Sequence, residues 1–205
     1  NEIGAVLIFD EITSGFRMCL GGVHKKYEVY PDIAVFAKSI ANGYAMSAVI
    51  GKEKVMEAAQ STFISSTNWT DRVGPAAALA TITKYKKQNV DKKIIKVGKT
   101  VKKIWAKYSK KYKLNITISG LPSLASFTID HPNNNVLNTV FTIEMLKRGF
   151  LGFRQFKPSF AHSESDIKLY EKAVDEVFKL ISLDLDGTSL QSDAHHLGFQ
   201  RLTKE

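Results

Sequence analysis

The run Gly4-Ala5-Val6-Leu7-Ile8-Phe9, closed by Asp10, constrains this chain more than any other feature. A run with no polar side chain cannot alternate between core and solvent. It predicts a strand buried on both faces, as in a parallel sheet. A second apolar run, Ile33 to Ala37, is closed by Lys38. Gly15, Gly21-Gly22 and Pro31-Asp32 mark the loops between the two runs. Met46 to Ile50 is a third candidate strand, and Lys52 to Gln60 reads as a short helix.

A polar loop over 61–72 precedes a long helical pattern from Pro75 to about Ser109, with candidate breaks at Asn89 and Gly98. The second half changes character. Leu114 to Ser119 and Leu124 to Ile129 are strands around the turn signal Gly120-Leu121-Pro122. Val136 to Lys147 suits a helix closed by Gly149. Ser163-Glu164-Ser165-Asp166 opens a further helix through Leu183, with acids in its first turn, and the polar tail from Asp184 reads as irregular. The pattern predicts two domains, 1–95 and 96–205, the second a small α+β unit.

Charge is concentrated. Between Lys84 and Lys113 stand 13 lysines and one acid, Asp91, in a chain whose net charge is +9, so the remainder is net acidic. Such a block can bind nucleic acid or an acidic partner. Here Ile94, Ile95, Val97, Val101, Ile104, Trp105 and Tyr108 recur between the lysines at helical spacing. That pattern buries one stripe and wets the other, and a solvated helix face is the reading preferred. One cysteine, Cys19, excludes a disulfide framework and a cysteine-rich zinc site, and no apolar run reaches membrane-spanning length.

Asp10 and Lys38 carry the chemistry. Open parallel sheets bind ligands outside the carboxyl ends of their strands, so a carboxylate and an amine delivered there could face one small molecule. The pair suits pyridoxal phosphate, which needs an amine for its aldehyde and a carboxylate beside its ring nitrogen. A single strand-end Asp and a single Lys are also common structural residues, and spacing leaves both readings open.

A resemblance narrows them. The segment Val6-Leu7-Ile8-Phe9-Asp10-Glu11-Ile12-Thr13-Ser14-Gly15-Phe16-Arg17 resembles the aspartate motif of class III aminotransferases. Residues 31–44, Pro-Asp-Ile-Ala-Val-Phe-Ala-Lys-Ser-Ile-Ala-Asn-Gly-Tyr, resemble that family's Schiff-base lysine segment. Ser65-Ser66-Thr67-Asn68-Trp69-Thr70, running into Gly74-Pro75, is similar to its threonine loop and following helix. Similarity continues through 120–127, 148–151 and 195–202, and points to the glutamate-1-semialdehyde aminomutase-like branch.

The resemblance implies an α/β fold: the C-terminal part of the large domain of a fold type I pyridoxal-phosphate-dependent transferase, followed by a small α+β domain. It implies that Asp10 pairs with the pyridinium nitrogen and Ile12 packs on one face of the ring. Lys38 forms the Schiff base and shuttles a proton, and Thr67 reaches the phosphate of the partner subunit's cofactor. Ile12 stands where valine is commoner, and the loop around Thr67 is bulkier than the family's. The implied activity is amino-group transfer between small amino and keto substrates, in a cytoplasmic homodimer with shared sites. Intramolecular transfer of the aminomutase type is the alternative, as is an inactive piece that serves only as a binding module. The family is about twice this length, and its phosphate loop precedes the aspartate, so the chain is expected to be a C-terminal piece.

Other motifs carry less. Val6-Leu7-Ile8-Phe9-Asp10-Glu11 fits a Walker B strand, but Gly98-Lys99-Thr100 lacks the leading glycine of a P-loop. Asp184-Leu185-Asp186-Gly187-Thr188 copies a phosphatase nucleophile motif but follows a helical pattern, and reads as a tail turn. No carboxylate or cysteine cluster supports His195-His196 as a metal site, and no role is assigned to His24, His131 or His162.

Overall fold

The computed structural model describes residues 3–188 and 194. The chain divides into two compact units, Asn1–Ile95 and Lys96–Glu205.

The first unit is built on a three-stranded sheet in the order β1 (Ile8–Asp10), β2 (Ile33–Phe36), β3 (Ala48–Gly51). β1 and β2 are parallel, with Ile8 opposite Ile33 and Asp10 opposite Val35. β3 runs antiparallel to β2, with Val49 opposite Val35. Side chains alternate across a sheet. Ala34 and Phe36 therefore share one face, where they are buried with Ile40, Ala41 and Ala78. Ala78 comes from α2 (Val73–Gln88), so this helix covers that face. The other face carries Ile8, Asp10, Ile33, Val35 and Val49. Ile8 is 56% exposed and Val49 53%. The apolar run before Asp10 is thus largely uncovered, with Val6, Leu7 and Ile8 exposed and Phe9 partly buried, against the expectation of a strand buried on both faces. Within this unit α2 supplies one layer, and nothing among the described residues supplies a second.

β3 leads into α1 (Glu53–Met56) and a 3-10 turn, Glu57–Ser61, a shorter α-helix than the sequence pattern implied. α2 stops at Asn89, whose φ of 48° is left-handed, and α3 (Val90–Tyr112) begins at the next residue. The second candidate break, Gly98, lies inside α3. A Cβ built there would stand 1.7 Å from the Pro122 carbonyl oxygen. The glycine admits a close backbone approach rather than ending a helix.

The second unit holds an antiparallel sheet, β4 (Ile116–Ser119), β5 (Ala125–Ile129) and β6 (Gln155–Phe156). β6 escaped the sequence reading because two residues carry no period. Ala125, Phe127 and Ile129 of β5 are buried, while Ser126 and Thr128 between them are partly exposed. They pack beneath α3, α4 (Asn134–Lys147) and α5 (Glu164–Leu183). Phe127 lies at the centre, with Trp105, Phe141 and Phe178 ring centroids 4.9, 5.1 and 5.6 Å away. Each aromatic pair adds about 0.5–1.5 kcal/mol beyond the area it buries. Trp105 Nε1 donates to Tyr170 Oη at 3.0 Å, which satisfies two polar groups inside the core.

Val97, Val101, Ile104, Trp105 and Tyr108 form the buried stripe of α3. Its lysines line the wet side, where Lys107 pairs with Glu171 and Lys111 with Asp175, both at 2.7 Å. Ser163 caps α5: its hydroxyl accepts from Asp166 N, and its own N–H donates to the Asp166 carboxylate. After α5, Asp184 Oδ1 accepts from Thr188 N and Oγ1, so residues 184–188 form a turn and not a strand end. Among the described residues no helix is long and apolar enough to cross a membrane.

Candidate active site

Asp10 ends β1 and Glu11 follows it, and the two adjacent acids have opposite environments. Asp10 is exposed, on the open face of the sheet. Its Oδ1 accepts from Ile12 N at 2.9 Å, a local turn that fixes the start of the following loop. Glu11 N still donates to Val35 O, which extends the β1–β2 ladder by one residue. The alternation sends the Glu11 side chain inward, where it is 1% exposed.

A buried carboxylate needs partners. Glu11 Oε1 accepts from His24 N at 3.0 Å and lies 3.0 Å from His24 Nδ1, while Oε2 accepts from the Ser14 hydroxyl. Burial by itself raises the carboxyl's pKa. The Ser14 hydroxyl, the backbone N–H groups of His24 and Val23, and the His24 ring outweigh it and hold Glu11 below its ordinary value. Glu11 thereby ties the loop 11–24 to the strand end.

The loop is pinned at further points. Gly15 N donates to Glu11 O at 2.8 Å, and a Cβ at Gly15 would lie 2.7 Å from both that oxygen and the Phe36 ring. Arg17 Nε donates to Thr13 O at 2.8 Å, and Tyr85 Oη, from α2, donates to Arg17 O at 3.3 Å. Cys19 donates its thiol to Gly22 O, and burial pushes its pKa up, away from nucleophilic use.

Lys38 follows β2 after a single residue. Ala37 is fully extended, and Lys38 then turns left-handed with φ 51°. This is an uncommon conformation for a side-chain-bearing residue. The turn closes through Asn42 N, which donates to Lys38 O at 2.9 Å. The Lys38 amine is exposed and donates to Thr13 Oγ1 at 2.7 Å. The strand that ends in Asp10 and the strand that precedes Lys38 are therefore neighbours, and the amine returns to the loop that Asp10 opens.

Of the residues predicted from sequence, the fold brings Asp10, Ile12 and Lys38 into this one region, with Ile12 partly buried. Thr67 stands exposed in the irregular segment before α2 and makes no hydrogen bond to the other three. The sequence alone assigns no role to Glu11, Thr13, Ser14 or His24. A period-2 reading past Asp10 would have marked Glu11 as inward-facing and in need of a partner. No sequence signal pairs Thr13 with Lys38. Among the described residues no group of three or more His, Cys, Asp and Glu could hold a metal. His195-His196 lies outside the described residues.

The model for "Aminotransferase class-III" matches residues 1–158. The chain belongs to the class III aminotransferase family. A 3-aminobutyryl-CoA aminotransferase of Cloacimonas acidaminovorans is 48% identical over 83 residues, 40% of this chain and 20% of that protein. A glutamate-1-semialdehyde 2,1-aminomutase of Methanothrix thermoacetophila is 30% identical over 193 residues, 88% of this chain and 44% of that protein. In structure, the FumI protein of Sphingopyxis sp. MTA144, solved with pyridoxal phosphate, superposes with a TM-score of 0.83 at 23% identity. The match covers 90% of this chain and 45% of FumI. The class III chain thus has the fold type I architecture of the transaminases and spans less than half the length of these relatives.

Proposed function

We propose that this class III chain supplies the lysine-bearing part of a pyridoxal-phosphate-dependent aminotransferase. One observation carries the reading: Asp10 ends β1, Lys38 stands two residues past the end of its parallel neighbour β2, and the Lys38 amine bonds to the loop that begins at Asp10. The donor set fits the cofactor. Of the two strand-end acids, Glu11 is consumed by Ser14 and His24, whereas Asp10 is exposed and able to meet a cationic ring nitrogen. Lys38 is an exposed primary amine whose hydrogen-bond partner is the Thr13 hydroxyl and, among the described residues, not a carboxylate.

Bound, the cofactor supplies an aldehyde and an electron-withdrawing ring. Asp10 would hold the proton on the ring nitrogen, because a nearby carboxylate favours the charged form. Ile12 would pack against the ring, Thr67 would reach a phosphate across the subunit boundary, and Lys38 would carry the proton at the substrate carbon. Residues 1–95 would then be part of the cofactor-binding large domain and 96–205 the small domain, in a cytoplasmic homodimer acting on small amino and keto compounds.

The aminomutase reading has support of its own, since the aminomutase similarity extends over most of the chain. The bulk of Ser66-Thr67-Asn68-Trp69 favours the aminotransferase. Reductive trapping of pyridoxal phosphate on the intact protein, with peptide mapping, tests the shared core. A single labelled site at Lys38, lost in Lys38→Ala, is expected. Equal labelling of other lysines, or undiminished labelling in Lys38→Ala, would overturn it. Release of a keto product then separates transferase from mutase.

A further inference from the structure

We propose that Thr13 is a positioning residue for the Lys38 amine. The inference rests on the reading of Lys38 as the cofactor-binding lysine and goes beyond it, because it assigns a role to the side chain that accepts from that amine.

The contact is direct: Lys38 Nζ to Thr13 Oγ1 is 2.7 Å, a short hydrogen bond across 25 positions of sequence. Thr13 is a firm anchor. Its carbonyl accepts from Arg17 Nε, and the residues around it are set by the Ile12 to Asp10 and Gly15 to Glu11 bonds. Its β-branched side chain has restricted χ1 freedom. Lysine is the opposite case, a flexible four-carbon stem with large rotamer entropy. On an exposed lysine, one hydrogen bond to a rigid partner selects the rotamers that reach toward the Asp10 loop. The left-handed backbone at Lys38 sets the direction from which the stem starts.

The chemistry of the partner matters as much as its position. A carboxylate at this distance would hold the amine charged and non-nucleophilic. A hydroxyl is both acceptor and donor. It can accept from an ammonium and donate to the lone pair of a neutral amine, so the contact is available to the lysine in either form.

The test measures covalent capture of pyridoxal phosphate by the intact protein, followed by absorbance and by reductive trapping, alongside non-covalent affinity in a Lys38→Ala background. Thr13→Val should slow capture by roughly three- to tenfold, the factor commanded by a single net hydrogen bond. Thr13→Ser should restore it. In the Lys38→Ala background, Thr13→Val should leave affinity unchanged, because the residue acts through the lysine. Thr13→Ala gives the same comparison where the valine variant does not fold. Native-rate capture in both hydroxyl-less variants would overturn the proposal, as would equal slowing in Thr13→Ser. A loss of affinity that persists without Lys38 would also overturn it, since Thr13 would then contact the cofactor itself. Undiminished labelling in Lys38→Ala would instead remove the parent reading, so the two failures are distinguishable.

Discussion

Asp10 and Glu11 are covalent neighbours that face opposite sides of one sheet, the first exposed and the second 1% exposed beneath the loop it anchors. The pleat separates their roles: one carboxylate is open to a ligand, and the other closes the loop that presents it. Removing Glu11 should therefore act through structure. Glu11→Ala leaves His24 N and the Ser14 hydroxyl without their acceptor. A cost of about 1–3 kcal/mol in unfolding free energy is expected. Urea denaturation checks it, and a change within error of zero would show that water replaces the carboxylate.

The same carboxylate gives a pH signature. Its folded pKa lies below the ordinary 4.5, so its stabilisation is complete above that value. It is lost as pH falls from 4.5 through the folded pKa, because the unfolded state takes up the proton first. Glu11→Gln should lower stability in the neutral region and flatten this acid limb, so that the two proteins converge at the acid end where Glu11 is itself protonated. Thermal melts between pH 7 and 3 report it, and parallel limbs in the two proteins would exclude Glu11 as the source.

Much of this arrangement is readable before any coordinates. Asp10 and Lys38 stand out because each closes an apolar run, and the Ser163 cap is visible because its partner lies three residues on. What escapes the sequence is non-local. Nothing in residues 13 and 38 separately announces a hydrogen bond between them, and a two-residue strand such as β6 has no period. Gly98 shows how a local rule misleads: glycine in a helical pattern reads as a break, yet here it is required by Pro122, 24 positions away.

Gly98→Ala sets two effects against each other. Helix propensity favours alanine by about 1 kcal/mol at an interior position. The added Cβ, however, would stand 1.7 Å from the Pro122 carbonyl oxygen, backbone that cannot rotate aside. Overpacking of this kind costs about 1–3 kcal/mol. Net destabilisation is expected, read as a lower melting temperature. A stabilised variant would mean that the 3-10 turn at Pro122–Leu124 moves freely from α3.

Ser163 supplies a cleaner measurement, since its role is confined to one helix end. Its hydroxyl accepts from Asp166 N at 3.1 Å, and the reciprocal bond from Ser163 N holds the Asp166 carboxylate below its usual range. Ser163→Ala should cost about 1 kcal/mol, and Ser163→Asn considerably less, because asparagine offers an equivalent acceptor. Denaturant midpoints at constant slope test the pair. Equal losses in both variants would show that shape rather than the capping oxygen matters there.

The open face of the first sheet gives the last expectation. Ile8, Ile33, Val35 and Val49 share the face that carries Asp10, and Ile8 and Val49 are more than half exposed. β1 also lies at an edge of the sheet, where unpaired backbone groups invite another strand. The 205-residue chain expressed alone should therefore self-associate. Val49→Lys, which charges the face without touching Asp10 or Lys38, should reduce that association. Light scattering across a concentration series decides the matter. A monodisperse monomer at every concentration would show that this face is stable in water, and would count against reading the chain as one part of a larger sheet.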